Sequence, residues 1–349
     1  MNILSLAPAY RSIQFEYLND TDRSGTTSGK VENFGTHSEA LATIAGALSR
    51  VPADHDPDRI AIRVAFGGHL FSSVAVVDED VLSRLHKLIP GAPLHIPALL
   101  ALLEACGIRY SGVPVVLIFE TAFFADLPER ESTYGIDSAL AESLRLRRSG
   151  YHGIFHQAAS GIGAPERILS ICLEPQPEVA AIMSGRPVMV TGGSTPLEGL
   201  PGQSTCGEID PTIILALAQD LKLGTEQIDL LLTHDSGLRA LGDPSATVGE
   251  VLKSNDESNR LARDVLRYRM LLAVGAAQAA MGGIDEIVFS GRFADAGTSL
   301  MPWIESKLAR FPVKSAHRIA SRFVTDSLLR IVSDIAGSVQ LSQISNAVE

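Results

Sequence analysis

The segment 151–156, Tyr-His-Gly-Ile-Phe-His, places two histidines at positions i and i+4. If the segment is helical, the two imidazoles lie on one face. Downstream, residues 192–200 combine glycine, serine, threonine and proline with one acidic residue, Glu198. This composition is typical of a turn that faces a ligand. Neither stretch is typical of buried core, so together they predict a ligand site.

Three further side chains lie in or next to predicted strands and loops. Arg63 precedes the turn Gly67-Gly68, His95 lies in a loop flanked by prolines, and Glu120 follows the apolar strand 113–119. Ligands gather at the carboxyl ends of strands in open α/β sheets. Structural explanations stay open beside the functional one: a histidine satisfied in the core, an arginine paired with a carboxylate, or a capping glutamate.

Bulk properties restrict the classes of function. A chain of 349 residues is long for one core and suggests two domains. The net charge of −11 argues against a nucleic-acid surface. Three scattered cysteines favour a reducing cytoplasm, the start of the chain lacks a signal peptide's basic region, and no apolar run reaches the roughly 18 residues of a membrane helix. We therefore expect a cytoplasmic protein with no nucleic-acid or membrane partner.

Hydrophobic periodicity predicts an α/β fold. The expected strands are residues 1–6, 13–18, 59–66, 113–119, 168–173, 179–183, 187–191 and 286–290. The expected helices are residues 38–48, 80–88, 96–106, 137–147, 211–221, 261–281 (as one or two helices) and 326–336, with a polar loop over 19–38. Strands followed by alternating strands and helices occur twice, which predicts two α/β domains of similar plan.

Several motifs, in order, resemble the acetate kinase family. RVAFGG (63–68) is similar to its Arg-Val-Val-His-Gly-Gly turn, APLHIP (92–97) to its Ala-Pro-Leu-His-Asn-Pro loop, and VVLIFETAFF (115–124) to its Val-Phe-Asp-Thr-Ala-Phe-His strand end. Residues 151–156 resemble part of its Tyr-Gly-Phe-His-Gly-x-x-His stretch, residues 192–200 its Gly-x-Thr-Pro-Leu-Glu-Gly loop, and GEIDP (207–211) its Gly-Asp-Ile-Asp-Pro. IDEIVFS (284–290) resembles the strand before its last phosphate loop.

The resemblance implies two ribonuclease-H-like domains of the acetate and sugar kinase, chaperone ATPase and actin superfold, with an interdomain cleft. We place the N-terminal domain at residues 1–120 plus about 315–349 and the C-terminal domain at 121–314. The implied activity is phosphoryl transfer between ATP, as co-substrate, and a short-chain carboxylate such as acetate or propionate, with Mg²⁺. The reverse direction takes an acyl phosphate, and the resemblance also implies a homodimer.

Position by position, the resemblance assigns roles. Arg63 matches the arginine that holds the substrate carboxylate, His95 a transition-state histidine, Glu120 the catalytic aspartate, and His152 the histidine that contacts the transferred phosphoryl group. We list the acyl pocket as Ala65, Leu94, Tyr151 and Pro196, the nucleotide-binding candidates as Gly192, Gly193 and Ser194, and the metal candidates as Asp295 and Glu120. The smaller Ala65, where the family has valine, makes a longer acyl chain plausible.

The departures from the family lie mostly on the nucleotide side. Residues 7–12 replace Asn-x-Gly-Ser-Ser-Ser without a glycine, residues 174–176 (Glu-Pro-Gln) replace Gly-Asn-Gly, and residues 293–295 replace the Gly-Ile-Gly-Glu loop. Thr205 stands for the second catalytic arginine, and Thr247 and Gly249 for the adenosine-side Asp and Arg. Arg11 and Arg292 are new cations in these loops, either substitutes for the missing arginine or solvated surface residues.

Two hypotheses follow from this mixture. The first is a divergent acetate kinase-like phosphotransferase that uses ATP or another donor such as pyrophosphate. The second is a pseudokinase that keeps the fold and binds a metabolite or an enzyme partner. Hydrolysis of an acyl phosphate by water is a third possibility that needs only the retained residues. The altered first loop and Thr205 favour the second hypothesis, and Arg63, His95 and His152 favour the first.

Overall fold

The first structural unit is built on a six-stranded mixed sheet. The computed structural model describes residues 1–9, 12–18, 27–48, 56–92, 95–161, 163–308 and 319–340. Elements are numbered in chain order, and the strands of this sheet are β1 (Ile3–Ala9), β2 (Ser12–Leu18), β3 (Thr27–Glu32), β4 (Arg59–Val64), β5 (Ala75–Val76) and β6 (Val115–Phe119). The strand order is β3-β2-β1-β4-β6-β5. The β1, β2 and β3 strands pair antiparallel, and β1, β4 and β6 pair parallel.

Helices cover this sheet and supply the other half of its core. They are α1 (His37–Leu48), α2 (Glu79–Leu88), α3 (Ile96–Arg109) and, from the end of the chain, α13 (Leu328–Ser338). Asp78 begins α2 by accepting the Val81 N–H at 2.7 Å, as an N-cap residue does. The α13 helix joins the unit through the hydroxyls of Ser5 and Ser333, 2.6 Å apart in the core.

The second unit repeats this plan. Its strands are β7 (Arg167–Cys172), β8 (Glu178–Met183), β9 (Arg186–Val190), β10 (Glu286–Ser290) and β11 (Ala320–Phe323). The order is β11-β10-β7-β8-β9, with β7, β8 and β9 antiparallel and β7, β10 and β11 parallel. Each sheet is thus a three-stranded antiparallel meander continued by parallel strands, the plan of a ribonuclease-H-like domain, and the first sheet adds the short β5 antiparallel at its edge.

The helices of the second unit range from one turn to six. They are α4 (Glu129–Ser132), α5 (Ser138–Ser143), α6 (Gly153–Ala159), α7 (Pro211–Gln219), α8 (Thr225–His234), α9 (Leu238–Leu241), α10 (Val248–Lys253), α11 (Arg260–Met281) and α12 (Gly297–Leu308). The α11 helix is a single helix that ends at Gly282 in the left-handed conformation, at φ 71°. Asp210 caps α7, as its position before Pro211 predicts.

By contacts, the first unit comprises residues 1–125 and 326–349, and the second comprises residues 126–325. The boundaries expected from the sequence, after residue 120 and at about residue 315, lie five and about eleven residues earlier in the chain.

Some elements differ from the sequence prediction. The expected loop 19–38 contains β3, an edge strand whose exposed, polar face hides its periodicity. The expected helix 137–147 is only α5, because Arg145 takes a positive φ of 53° just beyond it. The short strand β11 and the helices α10 and α12 had no prediction.

Candidate active site

Arg63 and Glu120 lie at the same edge of the first sheet. Arg63 is on β4, and Glu120 begins the 3-10 turn Glu120–Asp126 directly after the parallel strand β6. Arg63 Nε lies 2.8 Å from Glu120 Oε1. The side chain of Glu120 is 1% exposed and that of Arg63 is 22% exposed. The guanidinium therefore neutralises a buried carboxylate while keeping part of its own surface open.

A small pocket of about 30 Å³ gathers three of the predicted residues. Its lining residues are Pro8, Ala9, Arg63, Val64, Ala65, Phe66, His95, Ile96, Ala98 and Leu99. Apart from Arg63 and His95, the side chains of this lining are apolar. A short apolar chain with an anionic end fits that combination, because the wall buries its carbon atoms and the guanidinium receives its charge. We call this cavity the Arg63 pocket.

His95 reaches the Arg63 pocket from the start of α3, where it is the N-cap residue. Burial, and then the positive charge of Arg63, hold the pKa of His95 below its ordinary value of 6.5. At neutral pH its imidazole is therefore mainly uncharged and carries one N–H donor. The neighbouring Leu94, predicted to line the acyl pocket, lies outside the described residues.

His152 and His156 flank the first turn of α6 in the second unit and have different surroundings. His152 is the N-cap residue, and its Nε2 lies 2.8 Å from the carbonyl oxygen of Gln176. A carbonyl oxygen only accepts hydrogen bonds, so Nε2 of His152 carries a proton and is the donor of this bond. His156 is fully buried, with Nδ1 2.7 Å from Ser170 Oγ and Nε2 3.2 Å from Glu178 Oε1. His156 is therefore a buried core histidine with both ring nitrogens in hydrogen bonds.

Glu178 organises the segment that carries His152. Its carboxylate accepts the backbone N–H of Tyr151 at 2.9 Å and that of His152 at 3.0 Å. Burial alone would raise the pKa of Glu178, but the hydrogen bond from His156 and the nearby histidines lower it below 4.5. Sequence reasoning missed this residue. The available signal was one acid at the start of an otherwise apolar strand, Glu-Val-Ala-Ala-Ile-Met.

The loop of residues 192–200 packs against two carboxylates of the same unit through its first two glycines. A Cβ on Gly192 would collide with the Glu178 carboxylate, and a Cβ on Gly193 would lie 2.6 Å from Cβ of Glu198. Glu198 is held by Arg148 and by the hydroxyl of Tyr134, each at 2.5 Å. It braces the loop.

Ser194 of this loop and Tyr151, two of the predicted residues, are joined by a hydrogen bond in the second unit. The Ser194 N–H donates to the Tyr134 hydroxyl at 2.7 Å, and the Tyr151 hydroxyl donates to the Ser194 carbonyl at 2.6 Å. Burial, and then the charge of Glu178, raise the pKa of Tyr151. Pro196 is exposed on the loop.

The positions that depart from the family pattern contact one another. The Thr205 hydroxyl donates to the side-chain oxygen of Gln176. Arg292 pairs with Glu174 at 2.8 Å, so it is not an unpaired surface cation. The Phe293 ring packs on Gly249, where an added Cβ would lie 3.0 Å from it. Arg11 lies outside the described residues.

Both metal candidates have a cationic partner. Glu120 pairs with Arg63, and the exposed carboxylate of Asp295 pairs with Lys253. Within the described ranges, no group of three or more His, Cys, Asp or Glu side chains could hold a metal ion. Within the same ranges, no helix is long and apolar enough to cross a membrane.

The two sheets define the class of this protein: a two-domain α/β protein of the superfold that includes actin, chaperone ATPases and the acetate and sugar kinases. A propionate kinase from Francisella tularensis subsp. tularensis SCHU S4 has this fold with a TM-score of 0.85 at 21% identity, over 97% of this chain and 100% of the other. At that level of identity, the structural similarity shows the fold alone.

The family follows from sequence comparison. Residues 14–326 match the model of the acetokinase family. The acetate kinase of Streptomyces griseus subsp. griseus is 31% identical over 347 residues, covering 88% of this chain and 83% of the relative. That of Corynebacterium jeikeium is 34% identical over 268 residues, 73% of this chain and 66% of the relative. The chain belongs to the acetokinase family.

Proposed function

We propose that this chain is a phosphotransferase that moves a phosphoryl group between a donor and a short-chain carboxylate such as acetate or propionate, forming an acyl phosphate. The relatives carry the names acetate kinase and propionate kinase. The observation that carries the proposal is the Arg63 pocket, where Arg63 and His95 stand among apolar side chains.

In the proposed reaction, Arg63 holds the substrate carboxylate and Ala65 borders its carbon chain. One carboxylate oxygen attacks the phosphorus, the bond between phosphorus and the donor oxygen breaks, and that oxygen leaves with the electron pair. The resemblance gives His95, in the first unit, and His152, in the second unit, each the role of a hydrogen-bond donor to phosphoryl oxygens. Because the Nε2–H of His152 donates a hydrogen bond to the Gln176 carbonyl, donation through Nδ1 as well requires the doubly protonated imidazolium.

The proposed metal is Mg²⁺. Each of the candidate carboxylates, Glu120 in the first unit and Asp295 in the second, is of the type that holds Mg²⁺ together with substrate phosphates. Bound in this way, Mg²⁺ would offset negative charge on the phosphoryl group. Glu120 would remain paired with Arg63 and keep that guanidinium oriented toward the pocket.

One observation favours a second candidate, a pseudokinase or an acyl phosphate-hydrolysing protein. Residues at nucleotide-side positions are engaged with one another, as in the pairs Gln176–Thr205 and Glu174–Arg292. In the hydrolytic version, water attacks the phosphorus of an acyl phosphate bound beside Arg63, and the carboxylate leaves.

The test is an assay in which hydroxylamine traps acyl phosphate as a hydroxamate, with acetate or propionate and with Mg-ATP or pyrophosphate as donor. Hydroxamate formation that is lost in Arg63→Ala and His152→Ala supports the phosphotransferase. Arg260→Ala and His86→Ala alter exposed helix residues and are the matched controls. Phosphate release from acetyl phosphate without ADP, and no hydroxamate with either donor, would replace the phosphotransferase with the hydrolase.

A further inference from the structure

Glu174 binds Arg292 in the way a protein binds a ligand anion. One carboxylate oxygen accepts the backbone N–H of Arg292, and the other accepts the guanidinium Nε–H, each at 2.8 Å. A backbone donor beside a guanidinium is a common arrangement at oxyanion sites.

The contact between Glu174 and Arg292 lies where two neighbouring strands of the second sheet end. Glu174 follows β7 and Arg292 follows β10, and these neighbouring strands are parallel. The Phe293 N–H donates to the Leu173 carbonyl at 3.0 Å. Gly291 has φ 87°, and an added Cβ would lie 2.7 Å from that carbonyl oxygen. We call residues 173–174 and 291–293 the anion corner. It lies at the carboxyl ends of parallel strands, the edge at which α/β sheets bind ligands.

The two partners differ in exposure. The Glu174 side chain is 12% exposed, whereas that of Arg292 is 54% exposed. The chain's own carboxylate therefore fills the interior of the corner while the cation stays accessible from solvent.

We propose that the anion corner is a site for a phosphate-type oxyanion that the chain itself occupies with the Glu174 carboxylate. An external phosphate group binds there only when this carboxylate is removed or displaced. The proposal deepens the proposed function by naming what excludes a phosphate-bearing donor from this corner. It rests on that function only for the role of the donor, and its test measures binding alone.

Residues next to Glu174 and Arg292 also have partners within the protein, as expected if the Glu174 carboxylate occupies the anion corner. Gln176, two residues after Glu174, bonds to the Thr205 hydroxyl and donates its Nε2 to the Leu200 carbonyl at 2.8 Å. Phe293, the residue after Arg292, covers Gly249. The side chains of Glu174 and Gln176, which follow β7, thus form hydrogen bonds with other parts of the second unit.

The experiment is isothermal titration of the full chain with inorganic phosphate, pyrophosphate and Mg-ATP. In Glu174→Ala, the backbone N–H and guanidinium of Arg292 lose their internal acceptor, so we expect pyrophosphate to bind about tenfold tighter or more than to the unaltered chain. The double variant Glu174→Ala/Arg292→Ala should lose this gain. Comparing pyrophosphate with Mg-ATP tells an inorganic donor from a nucleotide.

Glu286→Ala is the matched control. Glu286 is 13% exposed, pairs with Arg322 at 3.1 Å, and lies at the opposite end of β10, where no anion corner is built. A similar gain in this control, or no gain in a folded Glu174→Ala, overturns the proposal. If Glu174→Ala does not fold, Glu174→Ser carries the test, since its short side chain also removes the carboxylate from the corner. Failure of the hydroxamate assay leaves this result intact, so the two proposals fail separately.

Discussion

Arg63 Nε lies 2.8 Å from Oε1 of Glu120, and this contact joins the ends of two neighbouring parallel strands. Glu120 is almost completely buried, so its pairing with the guanidinium offsets part of the free energy that burial of its charge costs. The same guanidinium borders the Arg63 pocket. Arg63 therefore has two functions in our proposal, stabilising the first unit and receiving a substrate carboxylate.

The first prediction concerns the stability of this pair. Arg63→Gln removes the ion-pair partner of a buried carboxylate and should lower the free energy of unfolding by about 3–5 kcal/mol. Arg63→Gln/Glu120→Gln should recover a large part of the loss, because both charges of the pair are then removed. Urea unfolding of the single and double variants measures the coupling, and strictly additive losses would contradict it.

A second prediction concerns the acyl chain. Ala65→Val adds two methyl groups to the wall of the Arg63 pocket and should discriminate against propionate relative to acetate. Each CH₂ excluded from an apolar site is worth about 0.8 kcal/mol, or about fourfold in kcat/KM. The measurement is the ratio of kcat/KM for the two acids. An unchanged ratio would place the carbon chain elsewhere.

The third prediction uses the lowered pKa of Glu178. At pH 7 the carboxylate is ionised and accepts N–H groups, two of which face it from Tyr151 and His152. Glu178→Gln replaces one acceptor oxygen with a donor, so it should cost about 1–3 kcal/mol of stability. The carboxylate's contribution is present above the unfolded pKa of 4.5 and is lost as pH falls through the lower folded pKa.

The difference between unaltered chain and Glu178→Gln should therefore shrink below pH 4.5. Urea unfolding at a series of pH values measures it. Glu257→Gln is a suitable control because Glu257 is an exposed partner of Arg260 and should be nearly neutral throughout. A pH-independent difference at Glu178 would argue against an ionised carboxylate.

A fourth prediction contrasts two glycines. Gly192→Ala would place a Cβ against the Glu178 carboxylate and 2.8 Å from Cα of Gly150, so it should destabilise the chain by about 1–3 kcal/mol. Gly275→Ala meets nothing within 4 Å in the middle of α11 and should stabilise by about 0.5–1 kcal/mol. Thermal unfolding compares them, and effects of the same sign would refute the packing assigned to Gly192.

A fifth prediction concerns the homodimer, which stays a proposal from the family resemblance. The α7 helix is apolar, yet none of its residues is buried, and Ile213 and Leu215 are among its exposed side chains. An exposed apolar face of this kind is typical of an interface. Sedimentation should give a dimer that Leu215→Asp dissociates, with Leu144→Asp, another exposed leucine in the second unit, as the control.

Local patterns carried most of the fold prediction. The hairpin of β1 and β2 and the strand β6 follow from alternating or continuous apolar residues, which depend only on near neighbours in sequence. The edge strand β3 escaped prediction because it is polar and gains its regularity from pairing with β2. Propensity is weak where pairing decides the conformation.

The sequence by itself determined the family, the order of the main elements and the residues that could hold an anion, because motifs and periodicity are short-range properties. Only the tertiary structure decided which partner each charge has. Glu174 and Arg292 are 118 positions apart in sequence, yet the pairing of β7 and β10 brings them together. His152 and His156 share a motif, but one contacts a carbonyl and the other a buried carboxylate. Such contacts depend on strand register and burial, which no local pattern encodes.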